Sequence, residues 1–177
     1  MRILCIGGLW RKDHPILDAL GRASESVFPK AEFVIDYEEW LWPFQHDRIF
    51  AQADRLVRNN DDGEELVLLG HSFGGWVARH IEQQFEKSKV VGMSTVCSPH
   101  AIPFWNLPAL SRPVAPIVTF GGVYDYVVPH WFTRHPHAVA HILMPIDHWR
   151  DVTRNPLHAL QIMIETRYHL FQKNSTT

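Results

Sequence analysis

Cysteine, long apolar runs and net charge are all scarce in this sequence. Only Cys5 and Cys97 occur in 177 residues. Two cysteines cannot build a disulfide framework, and neither has a neighbour at the C-x-x-C spacing of zinc or thiol-redox sites. Both read as small buried hydrophobes. No stretch approaches the roughly 18 consecutive apolar residues of a membrane-spanning helix. The first apolar run, Ile3-Leu4-Cys5-Ile6, is shorter than the roughly 7–15 residues of a signal peptide's core, so a cytoplasmic location is expected. Lys and Arg number 17 against 19 Asp and Glu, a net charge of −2. No field of that size collects a phosphate backbone or holds an anionic membrane surface, so nucleic acid is not an expected partner.

What is present is the balance of an ordinary globular chain, 46% hydrophobic and 20% charged. Length and composition lead us to expect one domain over residues 1–177, able to bury a sizeable core. Strand and helix patterns alternate along it. Apolar runs at residues 3–6, 32–36, 66–69, 90–93, 116–120 and 139–143 read as strands. Between them, residues 15–20 and 47–58 read as helices, as does a segment carrying Val77, Ile81 and Phe85 at intervals of four. Asn155-Pro156 opens a last helix with a cap residue and a proline at its first position. Parallel neighbours need crossover helices, so the pattern predicts an α/β fold: a mostly parallel central sheet of about six strands with helices on both faces. Residues 98–116 hold five prolines together with Phe104, Trp105 and Leu107, and read as an ordered surface loop.

Gly70-His71-Ser72-Phe73-Gly74 is a G-x-S-x-G sequence whose context gives it weight. It directly follows the buried strand and directly precedes an amphipathic helix. A serine there sits on a tight strand-to-helix turn at the carboxyl edge of the sheet, its hydroxyl presented outward. Gly70, Gly74 and Gly75 supply the small side chains that a crowded turn needs. A serine hydroxyl is a poor nucleophile, so the reading demands a histidine base and a carboxylate to orient it, following in that architecture on the loops after late strands. Asp125 stands just past the strand at 116–120, and no Asp or Glu occurs between Val90 and Tyr124 to compete with it. Twelve histidines are present, but His148 alone follows the last strand and precedes the last helix. His141 falls inside that strand, and His158 and His169 in the final helix. Asp147, next to His148, reads as a loop or capping residue.

Together these residues resemble the α/β-hydrolase superfamily, with a size similar to that of its small lidless members such as small bacterial lipases and cutinases. The likeness runs from Ile3 to the final helix. Ser94-Thr95-Val96-Cys97-Ser98-Pro99-His100 is similar to the T-x-x-S/T-P-H segment of many bacterial lipases, and Gly122-Val123-Tyr124-Asp125-Tyr126-Val127-Val128-Pro129 resembles the family's acid loop. Members commonly carry His-Gly where this chain has Gly7-Gly8. By that alignment the oxyanion hole is the backbone N–H of Leu9 with that of Phe73, and backbone donors survive the loss of the histidine.

The resemblance implies a serine hydrolase: Ser72 as nucleophile, His148 as base, Asp125 as its orienting acid, and no cofactor. Seven tryptophans, with Trp10 and Trp105 as candidate substrate-binding residues, suggest an apolar wall and hence carboxylic esters of apolar or small acyl groups as small-molecule substrates. Thioesters are the closest alternative, because the same steps cleave them. A non-catalytic interaction protein that uses Trp40-Leu41-Trp42-Pro43-Phe44 or Phe104-Trp105 as a partner surface is the competing class. His130, His135, His137 and His141 lack a regular ligand spacing, so no metal site is expected there. With a histidine as base, hydrolysis is expected to fall as the solution is acidified through the ordinary imidazole range near about 6.5. A pH–rate profile that stays flat across that range would refute this assignment of the base.

Overall fold

A computed structural model describes residues 1–8, 15–36, 46–100 and 112–172. Six strands form one sheet: β1 (Arg2–Ile6), β2 (Glu32–Asp36), β3 (Glu65–His71), β4 (Lys89–Val96), β5 (Ile117–Gly122) and β6 (Ala140–Met144). Their order is β2-β1-β3-β4-β5-β6, and every neighbouring pair is parallel. The helices are α1 (Pro15–Val27), α2 (His46–Asn60), α3 (Phe73–Ile81), α4 (His130–Thr133), α5 (Arg150–Arg154) and α6 (Pro156–Arg167). Among the described residues no helix is long and apolar enough to cross a membrane.

The continuous apolar runs read from the sequence follow from burial on both faces, since successive side chains of a strand point to opposite sides. Ile3 and Cys5 of β1, with Val67 and Leu69 of β3, pack against Ile16, Leu17 and Leu20 of α1 and Ile162 and Met163 of α6. Leu4 and Ile6, with Leu66 and Leu68, pack on the other side against Ile49 and Ala53 of α2 and Val77 and Ile81 of α3. Asn155 caps α6 as expected, its side chain accepting the Leu157 N–H at 3.1 Å.

Several elements differ from the sequence reading. α3 ends at Ile81 and tightens into a 3₁₀ turn over Glu82–Gln84, leaving Phe85 extended at φ −73°, ψ 120° but packed on the same core. A spacing of four therefore returns Phe85 to the core without continuing the helix. β4 runs three residues beyond Met93 because its polar side chains find buried partners: Ser94 Oγ lies 2.9 Å from Thr166 Oγ1, and Thr95 Oγ1 lies 2.8 Å from His100 Nε2. The short helices α4 and α5 carry no amphipathic period and are invisible to periodicity. The proline-rich loop lies largely outside the described residues, as do Trp40-Leu41-Trp42-Pro43-Phe44 and Phe104-Trp105.

A buried polar cluster ties α3 to the segments around it. The Arg79 guanidinium donates to His135 Nε2, and Glu82 Oε1 accepts the N–H groups of Val114 and Ala115 at 2.9 and 2.5 Å. Burial first, then the Arg79 charge, pushes His135 down to about 4, and burial pushes His100 well below the ordinary histidine value. An imidazole that stays neutral in the fold down to about 4, but protonates near 6.5 once unfolded, is the more protonated in the unfolded chain between those values. Stability must then fall as pH drops through that window. Thermal denaturation across a pH series is expected to show a falling melting temperature on acidification from about 6.5 towards 4, and His135→Gln to flatten the fall; an equally steep fall in the variant would refute the assignment.

Candidate active site

β3 passes into α3 through a single residue, Ser72. Without a loop to absorb the change of direction, that residue takes φ 53°, ψ −127°, a conformation that costs a side-chain-bearing residue about 1–3 kcal/mol. The surroundings hold it there. Ser72 N–H donates to Val96 O at 2.9 Å, and Gly75 N–H donates to Ser72 O at 3.1 Å. Close approach explains the glycines. A Cβ on Gly74 would strike the carbonyl oxygens of Ile6 and Gly7, and one on Gly75 would strike the Ser98 hydroxyl. Ser98 Oγ in turn donates to Gly70 O and Val96 O at 3.3 and 3.2 Å, tying the ends of β3 and β4 together.

The loops after β5 and β6 bring the other two residues to this turn. Asp125 Oδ1 accepts the N–H groups of Val127 and Val128 at 2.9 and 2.8 Å, leaving Oδ2 for His148 Nδ1 at 2.7 Å. His148 Nε2 lies 3.0 Å from Ser72 Oγ. An ionised carboxylate only accepts, so Nδ1 carries the imidazole proton and Nε2 presents its lone pair to the serine hydroxyl. His148 and Asp125 are buried while Ser72 is partly exposed. A proton accepted from the hydroxyl is therefore held in a largely water-free pocket beside a fixed negative charge.

Two further residues reach this site without having been assigned to it from the sequence. His71 Nε2 donates to the His148 backbone carbonyl at 3.0 Å, with the two rings 5.0 Å apart. Its place inside the pentapeptide was the available signal. Cys97, read as a plain hydrophobe, brings its sulfur into the Asp125–His148 pair, with one candidate metal-ligand atom from each of the three residues all within 4.8 Å of one another. Burial pushes its thiol well above the ordinary cysteine value, so it holds its proton. A metal there would have to strip protons from both the thiol and His148 Nδ1, and the set fits a hydrogen-bonded chain better than a ligand cage. Asp147 caps α5, as read: its Oδ1 accepts the Trp149, Arg150 and Asp151 N–H groups at 3.0, 2.5 and 3.1 Å.

Of the other residues read from the sequence, Phe73 opens the first turn of α3 beside Ser72. Leu9, Trp10 and Trp105 lie outside the described residues. The four histidines considered for a metal do not gather among the described residues: His141 Nδ1 pairs with Thr119 Oγ1 at 2.8 Å, and His135 with Arg79. A Cβ on Gly8 would stand 2.9 Å from Ser72 Cβ and 3.2 Å from its Oγ. Gly8→Ala is therefore expected to displace the hydroxyl and slow Ser72 acylation by about tenfold or more, read as the rate of covalent labelling in protein of unchanged circular dichroism. An unchanged rate would contradict the crowding.

The alpha/beta hydrolase family matches residues 9–172 of this sequence. No curated protein matches it by sequence. Among solved structures, a protein from Xanthomonas campestris pv. campestris assigned to the alpha/beta hydrolase superfamily is 16% identical, with a TM-score of 0.65 over 93% of this chain and 96% of that one. Mouse alpha/beta hydrolase domain-containing protein 10 is 15% identical, with a TM-score of 0.63 over 98% and 90%. The thioesterase of the prodiginine biosynthetic pathway in Streptomyces coelicolor is 12% identical, with a TM-score of 0.63 over 96% and 85%. At such identities the likeness is one of fold. The family match covers nearly the whole chain and agrees with the parallel sheet and its strand-to-helix turn: the chain belongs to the alpha/beta hydrolase family, and its chemistry is hydrolysis.

Proposed function

We propose that this protein is a serine hydrolase that cleaves carboxylic esters of apolar or small acyl groups through an acyl-enzyme intermediate. The observation that carries the reading is the hydrogen-bonded chain Ser72–His148–Asp125, at 3.0 and 2.7 Å, standing on a strained turn at the carboxyl edge of the sheet. In the first step Ser72 Oγ attacks the acyl carbonyl carbon while its proton passes to His148 Nε2. The negative charge that develops on the carbonyl oxygen is met by the Phe73 N–H, together with that of Leu9 by the sequence alignment. His148 then returns the proton to the departing alkoxide, leaving the acyl group on Ser72. A water deprotonated by His148 releases the acid and regenerates the serine. Asp125 holds the imidazole tautomer throughout and faces the imidazolium formed twice per cycle. The three side chains and two backbone amides supply every step, so the proposal includes no metal or organic cofactor, and it sets the reaction in the cytoplasm.

An apolar substrate is favoured by the rim. Val123, Tyr124, Tyr126 and Val127 on the acid loop, Trp131 on α4, and Trp149 beside His148 are all exposed, Tyr126 by 91%. Large apolar side chains left in water on the acid loop and beside His148 suit a ligand that covers them. Trp149 meets the His148 ring edge-on at 4.6 Å, so a bound acyl or alcohol chain would touch it at the reacting centre. By the sequence reading, Trp10 and Trp105 are the further candidates for substrate binding in this proposal. Thioesters are the second reading, since one structural neighbour bears that activity in its name.

The test is intact-mass analysis after treatment with a fluorophosphonate, in which Ser72 Oγ displaces fluoride from phosphorus and His148 takes the proton. One adduct is expected on the wild type and none on Ser72→Ala or His148→Ala. Absence of an adduct from the folded wild type would overturn the hydrolase mechanism in favour of a non-catalytic interaction protein. Asp125→Asn, which keeps the shape but disturbs the tautomer, is expected to lower kcat on the best ester by about 10³–10⁴. Rates on matched esters and thioesters of equal acyl length then rank the two substrate classes.

A further inference from the structure

Among the described residues, the only non-glycine residues with positive φ are Ser72 at 53° and Cys97 at 49°. They are coupled, since Ser72 N–H donates to the carbonyl of Val96, the residue before Cys97. Backbone strain of this kind persists where surrounding structure enforces it, and it clusters at functional sites. Ser72 has its explanation in the nucleophile turn. A small hydrophobe filling core space explains nothing at Cys97, because glycine would relieve the backbone there and leave only a small void.

What the strained backbone does is aim the sulfur. Cys97 N–H is tied to Phe120 O at 2.9 Å, which fixes the residue at the end of β4 against the end of β5. The side chain then points at the acid loop, where the sulfur lies within 4.8 Å of a carboxylate oxygen of Asp125 and of a ring nitrogen of His148. Gly122 borders the same space: a Cβ there would strike the Ile146 carbonyl oxygen at 2.5 Å and would stand 3.0 Å from Asp125 Cβ and 3.3 Å from Cys97 Sγ. The chain thus accepts strain at Cys97, and the residue that carries it faces the acid loop.

We infer that Cys97 is a positioning residue for the Asp125 carboxylate. A carboxylate offers about four acceptor directions. Val127 and Val128 N–H occupy Oδ1, and His148 Nδ1 occupies Oδ2. The thiol donates from the β4 side and stops the group from swinging about its Cβ–Cγ bond, so that Oδ2 stays on the imidazole. Because burial keeps the thiol protonated, it serves as a donor and not as a competing nucleophile. The inference rests on the proposed triad, and its test must not depend on turnover alone.

The experiment compares Cys97→Ala, Cys97→Gly and Cys97→Ser with the wild type. Alanine and glycine both remove the donor, and glycine also relieves the positive φ, so at least one donor-free variant is expected to fold. Serine keeps a donor. The readouts are the low-field proton resonance of His148 Nδ1, which senses its bond to Asp125 with or without turnover, and kcat against KM on the best ester. Alanine and glycine are expected to move or broaden that resonance and to lower kcat about tenfold with KM unchanged within about twofold, and serine to restore both to near wild type. A wild-type resonance and kcat in either donor-free variant would overturn the inference, since a packing role predicts lost stability and nothing else. The two readings separate cleanly: a wild type that takes no fluorophosphonate refutes the hydrolase mechanism, whereas an unmoved resonance in Cys97→Gly refutes the positioning role.

Discussion

The structure turns on the absence of a loop between β3 and α3. Because the chain changes from strand to helix at one residue, Ser72 is forced out of ordinary backbone space, and everything packed around it is arranged to keep it there. Gly74 must let α3 lie against the carbonyls of Ile6 and Gly7, Gly8 must leave room for the serine side chain, and Ser98 must bind the ends of β3 and β4. A loose turn would need none of these, but it would leave the hydroxyl without a fixed direction. In the parallel order β2-β1-β3-β4-β5-β6, β3 is flanked by β1 and β4, so the turn is buttressed on both sides.

Burial sets the energetics of the rest of the site. His148 and Asp125 are withdrawn from water, where an unpaired charge or an orphaned ring nitrogen is expensive. Bonds to the pair come from donors on separate elements: Val127 and Val128 from the acid loop to Asp125, and His71 from β3 to the His148 carbonyl. The constellation is thus braced by the sheet edge itself. A buried cluster of the same character, Arg79 with His135 and Glu82 with the segment before β5, joins α3 to the neighbouring loops. One fold therefore carries two sets of buried polar groups, one of them reaching partly exposed Ser72.

Much of this was legible in the residues. Strands buried on both faces announce themselves as continuous apolar runs, and the six expected from the sequence are the six of the sheet, with β3 and β4 longer than read. Ser72, Asp125 and His148 were reachable because chain order and position relative to strands narrow the choice even among twelve histidines. Phe85 misled because a periodic apolar position records where a side chain ends up and not the backbone that takes it there. α4 and α5 were missed because a helix of one turn has no period to detect. Cys97 is buried in the core as read, but its composition class says nothing about Asp125 and His148, which its sulfur also approaches.

By itself the sequence determined the class of fold, the strand-to-helix turn and the three residues, Ser72, Asp125 and His148, that the fold brings into one hydrogen-bonded line. Each of these is a local pattern or an ordering along the chain, and local patterns survive in one dimension. The tertiary structure alone decided the distances of 3.0 and 2.7 Å, the choice of imidazole tautomer, the bracing of His148 by His71 and the approach of Cys97 to Asp125. Those depend on β3, β4, β5 and β6 ending at one edge, and residues as far apart in sequence as 72 and 148 become neighbours only when the sheet has been assembled.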